Sequence, residues 1–457
     1  MNTKPNIILV SLDCVRADHL GCYGAGKGNS PFIDSIADDS ILFTNAFAQS
    51  SWTPTSHASI FTGMDPCGHQ IFDFGYKLDK RIWTMPGLLR RAGYEAHAFY
   101  SYDTLYAQFN MGVEYDTVTR LPAGFDPGLF NGLRPGRDPQ FVFLHLGDAH
   151  LPYAPQEEYL GDSQAEMGIP ERLAPLFKVR ERPKRLSGIN REPILGDGIL
   201  YSLYLKFWEK ILMPRWSLFR VIDGINKGEI RLSDEDVRLL RHRYDAGIRQ
   251  VDDQLRQVHG ILGENGFLED AVVVITADHG EELYEHGKVH HACGLYNTLL
   301  HVPMILAAPG TDPNRISGQV SHVDILPTIM SLAGIEHGRL DGSDMLSAPN
   351  PPIHSRLRGL SSLIHDGWKL ILHDDSFREQ NLLRRISPLA LSFDASPQLY
   401  NLADDPGEAN NLYSGCMEKA IELEGMMDEH DPQKRSGSLE GTDMEITRRQ
   451  LEGLGYI

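Results

Sequence analysis

Cysteine is sparse in this 457-residue chain: the five present, Cys14, Cys22, Cys67, Cys293 and Cys416, are scattered and odd in number. No CxxC spacing marks a zinc site, and nothing resembles a disulfide framework. Missing too is any uninterrupted apolar stretch long enough to span a bilayer. Only four residues separate Met1 from the first core strand, which leaves no room for the apolar part of a signal peptide. The expectation is a reduced, cytoplasmic protein. An excess of positive charge is also lacking, with 43 Lys and Arg against 62 Asp and Glu and a net charge of −19. That balance argues against nucleic acid as a partner. Hydrophobic residues make up 41% of the chain, which excludes wholesale disorder. The length suits one large domain with an appendage, or two domains.

What is present reads as alternating strands and helices. Apolar runs at 6–12, 41–47, 95–99, 141–146 and 271–276 have the length and composition of buried strands. Between them lie helical stretches at 56–62, stopped by Gly63, and at 85–92, closed by Gly93. Such alternation predicts a mostly parallel sheet with helices on both faces. Residues 155–232 break the pattern, with a basic cluster at 178–185 and an aromatic stretch at 199–222 interleaved with Lys and Arg. This segment reads as an inserted helical lid that selects substrate. The sharper reading, peripheral membrane contact through 199–222, rests on basic residues mixed with Trp and Phe, and Pro214 counts against a continuous helix there. Tyr244, Ile248, Val251 and Leu255 recur at helical spacing, leaving Asp252 and Asp253 near the polar side. A further apolar helix is predicted over 320–333. Stretches 368–372 and 398–402 look like antiparallel strands of a small appended sheet. The expected organisation is a catalytic domain over 1–345, a small C-terminal subdomain over 346–415 and a polar tail over 416–457.

Asp278 and His279 follow the run 271–276, and Asp13 stands at the tip of the run 6–12. Open α/β sheets place their ligands at the carboxyl ends of strands. Each residue alone has a plain structural role, as a strand-end cap or a satisfied histidine. Two carboxylates and an imidazole together suit Ca²⁺, Mg²⁺, Mn²⁺ or Zn²⁺. Thr53, followed by Pro54, reads as the N-cap of the helix that follows. Its hydroxyl would face free backbone N–H groups and the positive end of the helix. Contact with a cation would favour its alkoxide and make it a nucleophile. Asp148 and His150, past the run 141–146, face the same rim, and His286, His290, His291 and His301 cluster beyond His279. Function is assigned to His150 and to one of His290 and His291, to hold anionic oxygens or protonate a leaving alkoxide.

The chain resembles the sulfatase family of the alkaline-phosphatase superfamily. The likeness is carried by Pro5-Asn-Ile-Ile-Leu-Val-Ser-Leu-Asp13, by 53–63, by Asp148-Ala-His-Leu-Pro-Tyr153, by Thr276-Ala-Asp-His-Gly-Glu-Glu282 and by Ser321-His-Val-Asp-Ile-Leu-Pro-Thr328. The resemblance implies a three-layer α/β/α sandwich with a mostly parallel mixed sheet and a small C-terminal antiparallel sheet. It further implies one divalent metal held by Asp13, Asp278 and His279, with Thr53 touching it. His150 and a basic residue near His290 and His291 would contact the anionic group, and a covalent sulfo- or phospho-enzyme would pass to water or an acceptor. Departures bear on the chemistry. Cys14 stands where a second metal-binding Asp is common, His57 replaces an arginine, and Pro54-Thr55 reverses the usual order. Sulfatases convert Cys or Ser at the nucleophile position to formylglycine; oxidising Thr53 would give a ketone, so no formylglycine is expected. The reading is a metal-dependent hydrolase or transferase of phosphate, phosphodiester or sulfate esters, acting through Thr53 on a small-molecule, glycan- or lipid-linked anionic substrate. The alternatives are a sulfuric ester hydrolase working without formylglycine and an inactive metal-binding scaffold.

Overall fold

Strand β1 (Ile7–Leu12) is buried along its whole length, as expected of an unbroken apolar run covered on both faces. It lies inside an eight-stranded sheet with β2 (Ile41–Phe47), β3 (Glu95–Tyr100), β4 (Thr117–Arg120), β5 (Gln140–Leu146), β6 (Val272–Thr276), β9 (Met304–Ala307) and β10 (Asn314–Ser321). Between β6 and β9 come two short strands, β7 (Glu282–Leu283) and β8 (Val289–His290), paired only with each other. The computed structural model describes residues 4–26, 28–72, 76–101, 114–122, 124–161, 168–177, 218–347, 351–373 and 396–430. The sheet order is β10-β2-β9-β6-β1-β5-β3-β4. All neighbours run parallel except β9, which is antiparallel to both β2 and β6. The mostly parallel sheet expected from the alternation is present.

Register decides what the sheet delivers. Leu12 pairs with Leu146 of β5, and Ser11 pairs with Thr276 of β6. Two steps further along the same register, Asp13 falls beside Asp278. The carboxyl ends of β1, β5 and β6 therefore stop level with one another, and their following loops share one rim.

Helices α1 (Pro31–Asp38), α2 (Thr53–Thr62), α3 (Pro66–His69), α4 (Met85–Arg91), α5 (Leu218–Asn226), α6 (Asp234–Glu264), α7 (Asn297–Leu300), α8 (Ile325–Leu332) and α9 (Met417–His430) complete the described fold. Helix α6 has 31 residues and opens with a capping box between Ser233 and Asp236. Asp252 on α6 is buried rather than on a polar face; its carboxylate accepts the N–H groups of Phe32 (3.1 Å) and Ile33 (2.8 Å). This ties α6 to the first turn of α1 and satisfies donors that a helix start leaves open. The apolar helix expected over 320–333 is shorter. Val320 and Ser321 end β10, a capping box between Ser321 and Asp324 turns the chain, and α8 begins at Ile325.

Strands β11 (Ile353–Leu357), β12 (Leu360–His365), β13 (Trp368–His373) and β14 (Gln398–Asn401) form the antiparallel C-terminal sheet. One set of its residues, including Ile353, Leu357 and Ile371, joins the main core. Another set, Leu363, Leu370 and Leu399, is covered by Ala420 and Leu423 of α9. The tail expected from 416 is thus partly a packed helix, and residues 431–457 lie outside the described residues. Of the inserted segment, α5 packs Val221, Ile222 and Ile225 into the core. The basic cluster at 178–185, and 199–217 of the aromatic stretch, lie outside the described residues. Among the described residues no helix is long and apolar enough to cross a membrane.

Candidate active site

Helix α2 presents Thr53 to the rim. Trp52, in extended backbone, is the residue preceding the helix, and Thr53 is its first helical residue with Pro54 behind it. The expected N-cap is therefore one position earlier, and the Thr53 hydroxyl is not used for capping. Oγ1 instead lies 3.0 Å from Nε2 of His279. The other ring nitrogen of His279, Nδ1, donates to the carbonyl of Gly280 at 2.9 Å. This fixes the tautomer and leaves the Nε2 lone pair facing Thr53.

The two aspartates meet as the register requires. Asp278 is fully buried, and its Oδ1 accepts the N–H groups of Cys14 (3.2 Å) and His279 (2.9 Å). Its Oδ2 has no hydrogen-bond partner and sits 3.4 Å from His279 Nε2. Asp13 Oδ2 lies 3.4 Å from His145 Nε2, and Oδ1 accepts from the Cys14 thiol at 3.2 Å. Burial and the neighbouring Asp13 push the Asp278 carboxyl up to about 6. Burial also opposes ionisation of Asp13, yet His150, His145 and His279 outweigh it and hold this carboxyl well below the usual range. Two carboxylates in one dry place titrate apart in this way. An orphaned carboxylate oxygen beside a second carboxylate and a lone-pair imidazole fits a divalent cation. Within 4.8 Å of one another, ligand atoms group as Asp13, Cys14 and His279, and as Asp278, His57 and His145.

The histidines sort themselves by partner. His150, His290 and His291 do come together: the His291 ring is 4.9 Å from that of His150, 3.8 Å from that of His290 and 4.5 Å from that of His279. Both members of the His290–His291 pair belong to this wall, not one alone. The hairpin β7–β8 brings them back over Glu281, whose carboxylate is buried between them. Burial lowers both imidazoles below their ordinary range, with Glu281 partly offsetting it. His286 and His301 are structural. His286 bonds Glu282 at 2.8 Å and stacks on Tyr296, and His301 bonds the carbonyl of Thr44 at 2.9 Å. Asp148 also turns away from the rim, since Gln250 (2.7 Å) and Gln254 (3.0 Å) of α6 hold its carboxylate. Gly247 permits this docking, because a Cβ there would lie 2.8 Å from the Asp148 carbonyl oxygen.

Three further residues reach the site, of which the resemblance marked Cys14 and His57 only as departures and His145 not at all. Cys14, at φ 63, turns its thiol into the site, 3.3 Å from His291 Nδ1. His145 is a β5 residue hidden in an apolar run. His57 ties the helix to the sheet: Nδ1 donates to the Thr53 carbonyl (3.0 Å) and Nε2 accepts from Ser11 (2.9 Å). A cleft of about 530 Å³ lined by Trp83, Arg90, Glu114 and Asp116 opens at the amino ends of β3 and β4, away from all of these residues.

A hydroxyl at a helix start, two buried carboxylates and a wall of imidazoles thus meet at the carboxyl edge of the α/β sheet. The chain belongs to the sulfatase family, whose family model, described as Sulfatase, matches residues 5–335. With it the chain takes its place among the hydrolases of sulfuric and phosphoric esters, in the alkaline-phosphatase superfamily. It is 23% identical over 452 residues to arylsulfatase K of Danio rerio, covering 93% of this chain and 83% of that protein. In structure it is similar to a protein solved with its substrate D-glucosamine-2-N,6-O-disulfate (TM-score 0.66, 18% identity, 95% and 98% covered). It is similar as well to the phosphonate monoester hydrolase of Agrobacterium radiobacter (TM-score 0.65, 17% identity, 94% and 96% covered).

Proposed function

We propose that this enzyme cleaves or transfers a phosphorus- or sulfur-centred ester by attack of unmodified Thr53, with a divalent cation held by Asp13, Asp278 and His279. The observation that carries it is the Thr53 Oγ1 contact of 3.0 Å with His279, beside the unpartnered Oδ2 of Asp278. A Ca²⁺, Mg²⁺, Mn²⁺ or Zn²⁺ ion held by these residues would supply positive charge that favours the ionised hydroxyl. Thr53, having released its hydroxyl proton to solvent, forms a bond to phosphorus or sulfur as the bond to the leaving alkoxide breaks. His150, on the half-buried side of the wall, gives that alkoxide its proton, and His291 donates to a non-bridging oxygen. Water or an acceptor alcohol then takes the group from Thr53. The likeness to a protein bound to a disulfated glucosamine supports a glycan-linked anionic ester as the substrate class.

Phosphorus is favoured over sulfur because a threonine ester lacks the exit that a formylglycine hydrate provides. Family membership favours the second reading, a sulfuric ester hydrolase working without formylglycine. Metal-loaded protein assayed on matched aryl sulfate, phosphate monoester and phosphodiester separates the two. Faster turnover of a phosphorus ester supports the first reading, and preference for the sulfate replaces it with the second.

A further inference from the structure

Strand ends bring Asp13 and Asp278 to the rim, but a residue of helix α6 governs how the turn after β1 meets them. Cys14 has φ 63, a left-handed backbone that a residue with a Cβ keeps only where its surroundings hold it there. Its N–H donates to Asp278 Oδ1 at 3.2 Å, and its carbonyl accepts the hydroxyl of Tyr244 at 2.6 Å. The same hydroxyl accepts the N–H of Arg16 at 2.9 Å. One oxygen of α6 therefore closes the turn from Cys14 to Arg16 at both ends. Tyr244 is fully buried, with its ring edge to face against His19 (5.0 Å) and Tyr153 (6.0 Å). Packing of that kind needs only the ring, and a phenylalanine would serve it. The hydroxyl answers to the two backbone groups, which would be costly to leave open in the interior.

Cys14 passes this constraint on. With Oδ1 of Asp278 engaged by the N–H groups of Cys14 and His279, Oδ2 is the oxygen left open, 3.4 Å from His279 Nε2. Asp13, the neighbour of Cys14, enters the same turn, and its carboxylate accepts the Cys14 thiol at 3.2 Å. We infer that Tyr244 is a positioning residue of the cation site: its hydroxyl holds Cys14 left-handed, and the Cys14 N–H so aimed keeps Asp278 turned with Oδ2 open. The hydroxyl bonds backbone groups and not the proposed ligands, so Tyr244 acts on the cation only through Cys14, and this role rests on the cation reading above. Outer partners of this kind set ligand orientation and with it metal affinity.

Tyr244→Phe keeps the ring and removes both bonds. Wild type and variant, stripped by a chelator, are titrated with Mn²⁺, and free Mn²⁺ is read by electron paramagnetic resonance. The variant is expected to keep the wild-type circular dichroism and to bind Mn²⁺ about 10–100-fold more weakly. Saturating Mn²⁺ should then return its kcat on the aryl phosphodiester to within a few-fold of wild type, because the reacting atoms are untouched. Unchanged Mn²⁺ affinity would overturn the role of Tyr244 and leave the cation reading standing. Weak affinity with a kcat that stays low once the metal is saturating would overturn it too, by placing Tyr244 in the reaction itself. A wild type that binds neither Mn²⁺ nor, in a parallel titration, Zn²⁺ would overturn both. Should Tyr244→Phe fail to fold, Cys14→Gly is added, since glycine takes a φ of 63 without the Cβ penalty. A fold restored in the double variant supports the hold on Cys14, and a fold still lost rejects it in favour of plain core support.

Discussion

His150 is the site's half-buried imidazole, with its Nδ1 donating to the Leu151 carbonyl and its ring against His291. A group so placed matters most when the departing oxygen needs a proton. His150→Asn should slow an alkyl ester by about 10²–10⁴-fold while slowing a nitrophenyl ester, whose leaving group needs no proton, far less. Equal losses on both substrates would reassign His150 to anion binding. The same scale shows what the sequence made legible. Asp13, Asp278 and His279 stand immediately past apolar runs, where strand ends must deliver polar groups, and each is found at the rim. His145 was not legible as a site residue, and Cys14 was marked only by the resemblance, as standing where a metal-binding Asp is common. A histidine inside a strand has the signature of core. Only the left-handed backbone at Cys14 and the pairing of β5 with β1 reveal where those side chains point.

At the scale of elements, the clasp between α1 and α6 carries a pH dependence. Burial, eased by the N–H groups of Phe32 and Ile33, raises the Asp252 carboxyl from 3.8 to about 6. The folded chain holds this proton more tightly than the unfolded chain does. The stability linked to it is therefore full below about pH 4 and lost as pH rises through about 6, on the order of 2 kcal/mol. Asp252→Asn keeps an oxygen for the same N–H groups and should flatten this part of the profile in denaturant unfolding between pH 4 and 7. An unchanged slope would show that other groups set it. Helix spacing alone put Asp252 on a polar face, because the periodicity of α6 says nothing of α1 arriving against that face. Likewise the direction of β9 was not legible, since four apolar residues carry no mark of orientation. The hairpin β7–β8, which folds His290 and His291 over Glu281, is too short to announce itself.

Across the whole molecule, a buried ion pair of the C-terminal part grips Asn297 of the catalytic part. Lys369 of β13 meets Glu408 at 2.8 Å and donates to Asn297 of α7 at 3.0 Å, and Glu408 also accepts the Asn297 N–H. Removing one partner strands the other charge in the interior, a loss of about 3–5 kcal/mol. Glu408→Ala should destabilise the chain by that amount in equilibrium unfolding, and a loss near zero would mean that the junction is held by apolar packing alone. Alternating runs were enough to foresee a parallel sheet and a small antiparallel one, because core burial writes itself into apolar periodicity. The junction was not foreseen, because a lysine and a glutamate 39 places apart in the chain look like solvated charges until the fold buries both.

Thr53 as the nucleophile is tested most directly by kcat of metal-loaded Thr53→Ala on the aryl phosphodiester, beside the wild type. The Thr53 hydroxyl touches His279 and caps no helix, so its removal should leave the circular dichroism and the bound metal in place. The predicted result is a fall in kcat on the order of 10³-fold or more. Turnover within a few-fold of wild type would remove Thr53 from the mechanism.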